Sequence, residues 1–123
     1  MSYQWKDNQP IYRQLRELVV ARIMDGSFKE GEPVPSVRQV ATDYQVNHIT
    51  VSKAYQELVE LGLLAKRRGL GMYVSKGART ALLQKERQQF ENQELPAFAR
   101  RAQILGLSLS DLVELLQQEE NKR

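Results

Sequence analysis

A short stretch of this sequence concentrates side chains that can bind phosphate and hydrogen-bond to the edges of bases. Its basic members are Arg38, Lys53, Lys66, Arg67 and Arg68, and its polar members are Asn47, His48, Thr50 and Ser52. Arginine and lysine neutralise backbone phosphates, and arginine, asparagine, serine and threonine also pair with bases. These residue types predict recognition of a nucleic acid, provided that the fold brings them to one surface.

The positive charge of the chain coincides with this stretch. The 123-residue chain has a formal net charge of +3. Residues 1–76 contain eleven Lys and Arg against eight Asp and Glu, whereas residues 77–123 contain seven of each. The basic excess therefore accompanies the candidate binding residues. A net charge of this size is common on solvated surfaces, so charge alone does not establish a nucleic-acid partner.

Composition argues against several other classes of protein. The chain has no cysteine and one histidine, His48. Disulfides, thiol nucleophiles and cysteine-bearing zinc sites are thereby excluded, and we expect neither a metal nor a cofactor. Scattered carboxylates argue against an enzyme, because acid–base chemistry needs converging groups. Apolar runs of only about four residues predict no signal peptide and no membrane span, and hence a cytoplasmic protein.

Two helices are predicted before residue 45. The first is expected to begin at Pro10, as its first helical residue, and to end at Gly26, with an apolar face of Ile11, Leu15, Leu18, Val19 and Ile23. Ser36 and Gln39 predict a capping box at the start of a second helix of about two turns. Its buried face is expected to consist of Val37, Val40, Ala41 and Tyr44.

A third helix and a hairpin complete the first part of the chain. Asn47 is expected to cap the third helix and Gly62 to end it, with a buried stripe of Val51, Ala54, Tyr55, Leu58 and Leu61. Residues 63–66 and 72–75 are predicted strands, joined by the glycine-containing segment 67–71. Helix, turn, helix and basic hairpin together indicate a winged helix-turn-helix over residues 1–76.

The face of the third helix opposite the stripe is the predicted DNA-reading surface. It carries His48, Ile49, Ser52 and Lys53, with Thr50 in the first turn. Two roles are open to Asn47, which could cap the helix or contact a phosphate or an adenine. His48 is either a neutral surface group or a donor to DNA. Ile49 is either a plain first-turn contact or a partner for a thymine methyl group.

Basic residues outside the third helix have similar alternatives. Arg38 could be solvated, form an ion pair with Asp43, or reach into the groove. Arg67 and Arg68 could enter the minor groove or clamp its phosphates, and strand alternation predicts that one of them points to solvent. Lys66 and Lys76 are expected to give general attraction to phosphate.

Residues 77–123 are predicted to form a helical tail. One helix is expected over 78–93, Pro96 is expected to interrupt it, and a further stripe is expected to end at Gly106. Ser108 and Asp111 predict a capping box for the last helix. The tail is too small for a good core of its own, so it either packs on its own winged helix or dimerises. The residues expected to mediate dimerisation are Leu82, Phe90, Phe98, Leu105, Leu109, Leu112, Val113 and Leu116.

Several motifs over residues 9–76 resemble the GntR family of bacterial transcription regulators. They are Pro35-Ser-Val-Arg-Gln-Val-Ala41, Val46-Asn-His-Ile-Thr-Val51, Ala54-Tyr-Gln-Glu-Leu58, Glu60-Leu-Gly-Leu63 and Gly69-Leu-Gly-Met-Tyr-Val74. The resemblance implies DNA contacts by Arg38, by Asn47, His48, Thr50, Ser52 and Lys53, and by Arg68 and Gly69. Many members carry Ser-Arg-Asn/Thr-Thr where this chain has Asn47-His48-Ile49-Thr50, which implies a different operator preference.

The short tail is similar to that of the YtrA subfamily, in which it serves dimerisation. The similar segments are Leu95-Pro-Ala-Phe-Ala-Arg-Arg-Ala102 and Leu105-Gly-Leu-Ser108. Members of that subfamily often regulate transporter operons, so the resemblance implies such a target here.

We therefore expect a mainly α-helical protein with a small β-hairpin, in which a winged helix-turn-helix precedes a helical dimerisation tail. The predicted function is that of a homodimeric regulator, expected to be a repressor, on a palindromic operator in double-stranded DNA. A small-molecule effector of unknown identity is left open. The rival function is a winged helix that contacts protein, which would require an apolar exposed face on the third helix.

Overall fold

The computed structural model describes residues 3–123. Its elements are α1 (Ile11–Met24), α2 (Val37–Tyr44), α3 (His48–Glu60), β1 (Leu64–Arg67), β2 (Gly71–Val74), α4 (Ala78–Gln89), a π-helical turn (Phe90–Glu94), α5 (Leu95–Ile104) and α6 (Leu109–Asn121). The chain forms two compact units, and the division between them falls after Leu83, within α4. The predicted class, mainly α with one hairpin, is confirmed.

The core of the first unit lies chiefly between α1 and α3. Its fully buried members include Leu15 and Ile23 from α1, and Val51, Tyr55 and Leu58 from α3. With the buried Val19 between Leu15 and Ile23, these positions recur three or four residues apart, so each helix turns one apolar stripe inward. Their burial, at about 1.5–3 kcal/mol for each large side chain, outweighs any single surface contact. The predicted apolar face of α1 is therefore confirmed except at Ile11, which is 38% exposed, and the predicted stripe of α3 is confirmed except at its last member.

Leu61 was expected to belong to that stripe, and this prediction is wrong. Its side chain is 62% exposed, because α3 ends at Glu60 and Leu61 occupies the C-cap. Gly62 follows with φ of +78° and reverses the chain, as its position predicted. Leu63 and Leu64 are buried in its place and lead the chain into the hairpin.

In the first unit α2 and α3 begin at side-chain caps, as predicted, and α1 does not. The Ser36 hydroxyl accepts from the Gln39 amide at 3.0 Å, but the Gln39 side chain donates to Asp43, so the predicted reciprocal box is only half formed. Asn47 caps α3. Pro10 is the N-cap of α1 and not its first helical residue, because its ψ of 145° is extended.

The hairpin is held from two sides. β1 and β2 pair antiparallel with Leu64 opposite Val74 and Arg67 opposite Gly71. Both strands lie one residue nearer the turn than the predicted ranges 63–66 and 72–75. On the other edge of β2, the amide of Val34 donates to Met72 and the amide of Gly31 donates to Val74. Glycine is required at the tip, where Gly71 has φ of +98°.

Pro96 was expected to interrupt the tail helix, and the helical backbone instead continues from α4 to α5. A proline inside an α-helix lacks an amide donor, and its ring collides with the carbonyl four residues earlier. Here a π-helical turn precedes it, with the Leu95 amide donating to Phe90, five residues back. Pro96 is the second residue of α5, in its first turn, where a missing amide is tolerated.

The second unit contains the rest of the tail. Gly106 has φ of +74° and separates α5 from α6. At the start of α6 the predicted capping box is complete, since Ser108 accepts from the Asp111 amide and Asp111 accepts from the Ser108 amide. These hydrogen bonds from Ser108 lower the pKa of the Asp111 carboxyl. Ala102 is the one buried apolar residue that the structure describes in this unit.

We expect Tyr55→Phe to destabilise the protein by about 0.5–1.5 kcal/mol, because the hydrogen bond between the Tyr55 hydroxyl and the Pro35 carbonyl would be lost. The Tyr55 hydroxyl donates to that carbonyl at 2.6 Å. Urea unfolding followed by circular dichroism measures the change. Tyr44→Phe is the matched control, since no hydrogen bond of the Tyr44 hydroxyl is found in residues 3–123. Equal stabilities for the two variants would contradict the expectation.

Candidate nucleic-acid interface

The first turn of α3 presents a polar, exposed surface. Burial of Val51 and Tyr55 on one side leaves His48, Ser52 and Lys53 exposed on the other, and Thr50 is half-buried. Ile49 is 66% exposed, so it is not a core contact. A surface of this kind combines side-chain donors with the positive end of the helix dipole, which suits phosphate and base contacts.

Asn47 combines two chemical functions. Its side-chain oxygen accepts from the Ile49 amide at 2.8 Å, which caps α3. Its side-chain nitrogen has no acceptor within residues 3–123 and can donate outward. The two roles considered for Asn47 therefore do not compete, because each uses a different atom of the amide.

Arg38 lies on the exposed side of α2, beside the start of α3. An ion pair with Asp43 does not form, because Asp43 accepts from the Gln39 side chain and Arg38 has no carboxylate partner in the described part of the chain. Arg38 lines one shallow depression together with Asn47, His48 and Ile49. The structure thus brings together residues that are about ten positions apart in the sequence.

Tyr55 fixes the relation between α2 and α3. Its ring is buried in the core, and its hydroxyl donates to the carbonyl of Pro35, directly before the cap of α2. Burial raises the pKa of this phenol, and the neighbouring Tyr44 raises it further. The phenol therefore remains a neutral donor. Because its hydrogen bond joins α3 to the start of α2, it helps to set the shape of the depression between the two helices.

The wing adds basic groups beside α3. Lys66 is exposed and lines a second groove with Ser52 and Gln56 of α3. Arg67 lies over the ring of Tyr73, with its guanidinium carbon 4.1 Å from the ring centroid. Arg68 and Gly69 are exposed in the turn.

Lys53 has an aromatic partner in α1. Its ammonium lies 3.9 Å from the centroid of the Tyr12 ring, a distance at which cation and ring attract each other. Sequence reasoning did not single out Tyr12, Gln56 or Tyr73. The hairpin register would have predicted a contact between Tyr73 and Arg67, since the two side chains lie on the same face when Arg67 is paired with Gly71.

The predicted dimerisation residues have different environments. Leu82 is half-buried and packs on the core of the first unit, and Leu112 is half-buried in the second. The others are exposed apolar side chains of the second unit, namely Phe90, Phe98, Leu105, Leu109, Val113 and Leu116. Of these, Phe90, Phe98 and Leu116 line one cleft together with Glu94 and Leu95.

Other kinds of site receive little support from the described residues. Across residues 3–123 there is no group of three or more His, Asp or Glu side chains that could hold a metal ion. Within the same range, each helix is too short or too polar to cross a membrane.

Comparison with known proteins identifies the fold and its use. The model of bacterial regulatory proteins of the gntR family matches residues 11–74, which include α1, α2, α3 and the hairpin. The chain belongs to the gntR family. Its first unit is accordingly the winged helix-turn-helix of a DNA-binding regulator, and the family is one of regulators and not of enzymes.

Relatives extend the similarity into the tail. The chain is 34% identical to the HTH-type transcriptional repressor YtrA of Bacillus subtilis, over 92% of this chain and 86% of that protein. A transcriptional regulator of the GntR family from Bacteroides thetaiotaomicron superposes with a TM-score of 0.71 at 26% identity, covering 92% of this chain and 98% of the other. The AraR DNA-binding domain in complex with operator ORE1 superposes with a TM-score of 0.54 at 25% identity, covering 61% of this chain and 94% of the other.

We expect Lys66→Ala to weaken DNA binding by a similar factor on every sequence and to reduce the slope of log affinity against log salt by about 0.9, the value for one lost phosphate contact. Fluorescence anisotropy with two unrelated duplexes measures both quantities. Lys85→Ala is the control, because it removes the same charge from an exposed position in the second unit. A loss confined to one duplex would instead assign Lys66 to base recognition.

Proposed function

We propose that this protein is a transcriptional repressor that binds a palindromic operator as a homodimer. The observation that carries the proposal is the single surface formed by Arg38, Asn47, His48 and Ile49 beside the basic wing. In the proposed complex the first turn of α3 enters the major groove, where each base pair has a distinct pattern of donors and acceptors. The wing contacts the backbone or the minor groove beside it.

The chemistry of each side chain decides whether we assign it to the bases or to the DNA backbone. Arg38 and the free amide nitrogen of Asn47 are donors suited to guanine and adenine edges. His48 is a further donor, and the exposed Ile49 can contact a thymine methyl group. Thr50, Ser52, Lys53, Lys66, Arg67, Arg68 and the Gly69 backbone are assigned to phosphates and sugars, which fix register.

Dimerisation is proposed to use the second unit. Its exposed apolar side chains include Phe98 and Leu109, the latter 77% exposed. Phe98 lines one cleft with Phe90 and Leu116, and exposed apolar side chains clustered in this way are typical of an interface. A second copy of the chain is the proposed partner, since a two-fold dimer presents two α3 helices to successive major grooves. Residues 1–76 would then bind DNA, and residues 77–123 would join the copies.

Repression by occlusion of RNA polymerase is the mechanism that needs no further domain. The similarity to the YtrA repressor, which extends over most of both chains, supports this sign of regulation. A transporter operon is proposed as the target, carried over from the resemblance to the YtrA subfamily.

Selection from sheared genomic DNA of the source organism tests the proposal. The purified protein is incubated with the fragments at moderate salt, and the bound fragments are recovered and sequenced. Enrichment of a palindrome, above all near transporter genes, is the supporting result. Salt-sensitive binding without enrichment would contradict sequence-specific recognition, and a lack of any binding would favour a protein-contact role for the winged helix.

We expect Arg38→Ala to weaken binding to the recovered operator by about 1–3 kcal/mol if Arg38 makes a well-formed base contact. The loss should be greater on the operator than on a scrambled duplex, because only the operator presents the correct base edge. Titrations of both duplexes at one salt concentration measure the difference. Arg13→Ala is the control, since Arg13 is an exposed arginine of α1. Unchanged operator affinity would make Arg38 a simple surface residue.

We expect Val113→Glu combined with Leu116→Glu to yield monomers, because the buried carboxylates would each have to be desolvated. These two positions are chosen over Leu112 because they are exposed in the single chain. Analytical ultracentrifugation measures the oligomeric state. Gln118→Glu with Asn121→Glu adds the same charge to exposed positions of α6 away from this face. A persistent dimer in the apolar-face variant would locate the interface elsewhere.

A further inference from the structure

The two arginines of the wing have different surroundings. Arg67 ends β1, and its guanidinium lies 4.1 Å from the centroid of the Tyr73 ring. Arg68 is exposed in the turn, and neither arginine forms an ion pair within residues 3–123. The hairpin therefore holds one arginine against an aromatic face and leaves the other in solvent.

Tyr73 is the fixed member of the stacked pair. Ala65 lies opposite Tyr73 in the β1–β2 ladder, and Pro33 forms a bridge with Tyr73 on the other edge. Hydrogen bonds on both sides of it, from Val34 to Met72 and from Val74 to Glu32, are each 3.0 Å long. The backbone of Tyr73 is thus held between two neighbouring segments, and its ring is half-buried.

Stacking does not use up the donors of Arg67. The guanidinium is planar with its N–H groups in the plane of the group, and Arg67 is exposed, so donors remain open to solvent. A freely moving arginine loses side-chain entropy when it binds a phosphate. An arginine already held over a ring has lost part of that entropy before DNA arrives.

We propose that Tyr73 is a positioning residue for DNA binding, which holds the Arg67 guanidinium over its ring so that the guanidinium edge binds a backbone phosphate. The inference rests on the proposed function and adds to it a residue that does not itself contact DNA. Its distinctive consequence is that the effect of Tyr73 passes through Arg67. A merely structural tyrosine would act on affinity whether or not Arg67 were present.

A double-mutant cycle with a fluorescent duplex carrying the recovered operator tests the inference. Tyr73→Leu should weaken binding about two- to five-fold, the equivalent of one exposed cation–π contact. Tyr73→Phe, which keeps the ring, should retain the affinity of the unchanged protein. In the Arg67→Ala background, Tyr73→Leu should cause no further loss.

The salt dependence of DNA affinity distinguishes the loss of a positioning residue from the loss of a charge. Arg67→Ala should lower the salt slope by about 0.9, whereas Tyr73→Leu should leave the slope unchanged because every charge remains. Additive losses, a Tyr73→Phe variant as weak as Tyr73→Leu, or tighter binding by Tyr73→Leu would each overturn the inference. The last result would mean that the ring withholds Arg67 from DNA.

A measurement on the unchanged protein covers the case in which Tyr73→Leu does not fold. The δ protons of Arg67 should show an upfield NMR shift from the ring current, and the shift should persist when the duplex is added. Absence of the shift, or its loss on DNA binding, would overturn the inference. If the unchanged protein binds neither operator nor scrambled duplex at any salt concentration, the proposed function itself fails. Binding with an additive cycle refutes only the role of Tyr73.

Discussion

Burial of one face of α3 is the constraint on which the arrangement of the interface depends. Val51, Tyr55 and Leu58 are almost completely removed from water against α1. Because about three and a half residues make a helical turn, burying this stripe forces the residues between its members to the opposite side. The polar first turn of α3 is exposed for that reason. An ion pair between Arg16 of α1 and Glu57 of α3 accompanies the apolar packing, at the edge of the core.

The second level of organisation is a small set of directional contacts that place neighbouring elements beside α3. The hydroxyl of Tyr55 reaches from the core to Pro35 and so sets the start of α2, which brings Arg38 next to His48. Segment 31–34 pairs with β2 and anchors the wing. Each of these contacts is a hydrogen bond to a backbone group, so it fixes the position of one segment of main chain relative to another. Aromatic rings then limit where Lys53 and Arg67 can move.

The two units differ in how far their apolar surface is covered. In the first unit a contiguous core encloses large side chains from three helices and the hairpin. In the second, α5 and α6 leave Phe98, Leu109 and Leu116 largely exposed. Two short helices cannot bury all of their apolar faces against each other, since the ratio of surface to volume is unfavourable at this size. The tail therefore has a physical reason to associate, and the proposed dimer supplies a partner of matching chemistry.

Sequence by itself determined the helices, their caps at Ser36, Asn47 and Ser108, and the membership in the gntR family, because periodicity, capping and motif spacing are local properties. It also identified which residue types could contact DNA. It failed where the outcome depends on neighbours in space. Helical backbone continues through Pro96, which follows a π-helical turn and lies in the first turn of α5, and Leu61 is exposed because α3 ends one residue before it. Only the tertiary structure showed that Arg67 lies over Tyr73 whereas Arg68 is in solvent. It also showed that Asp43 pairs with Gln39 and not with Arg38. The sequence left these outcomes open, because the distances between such side chains are set by packing.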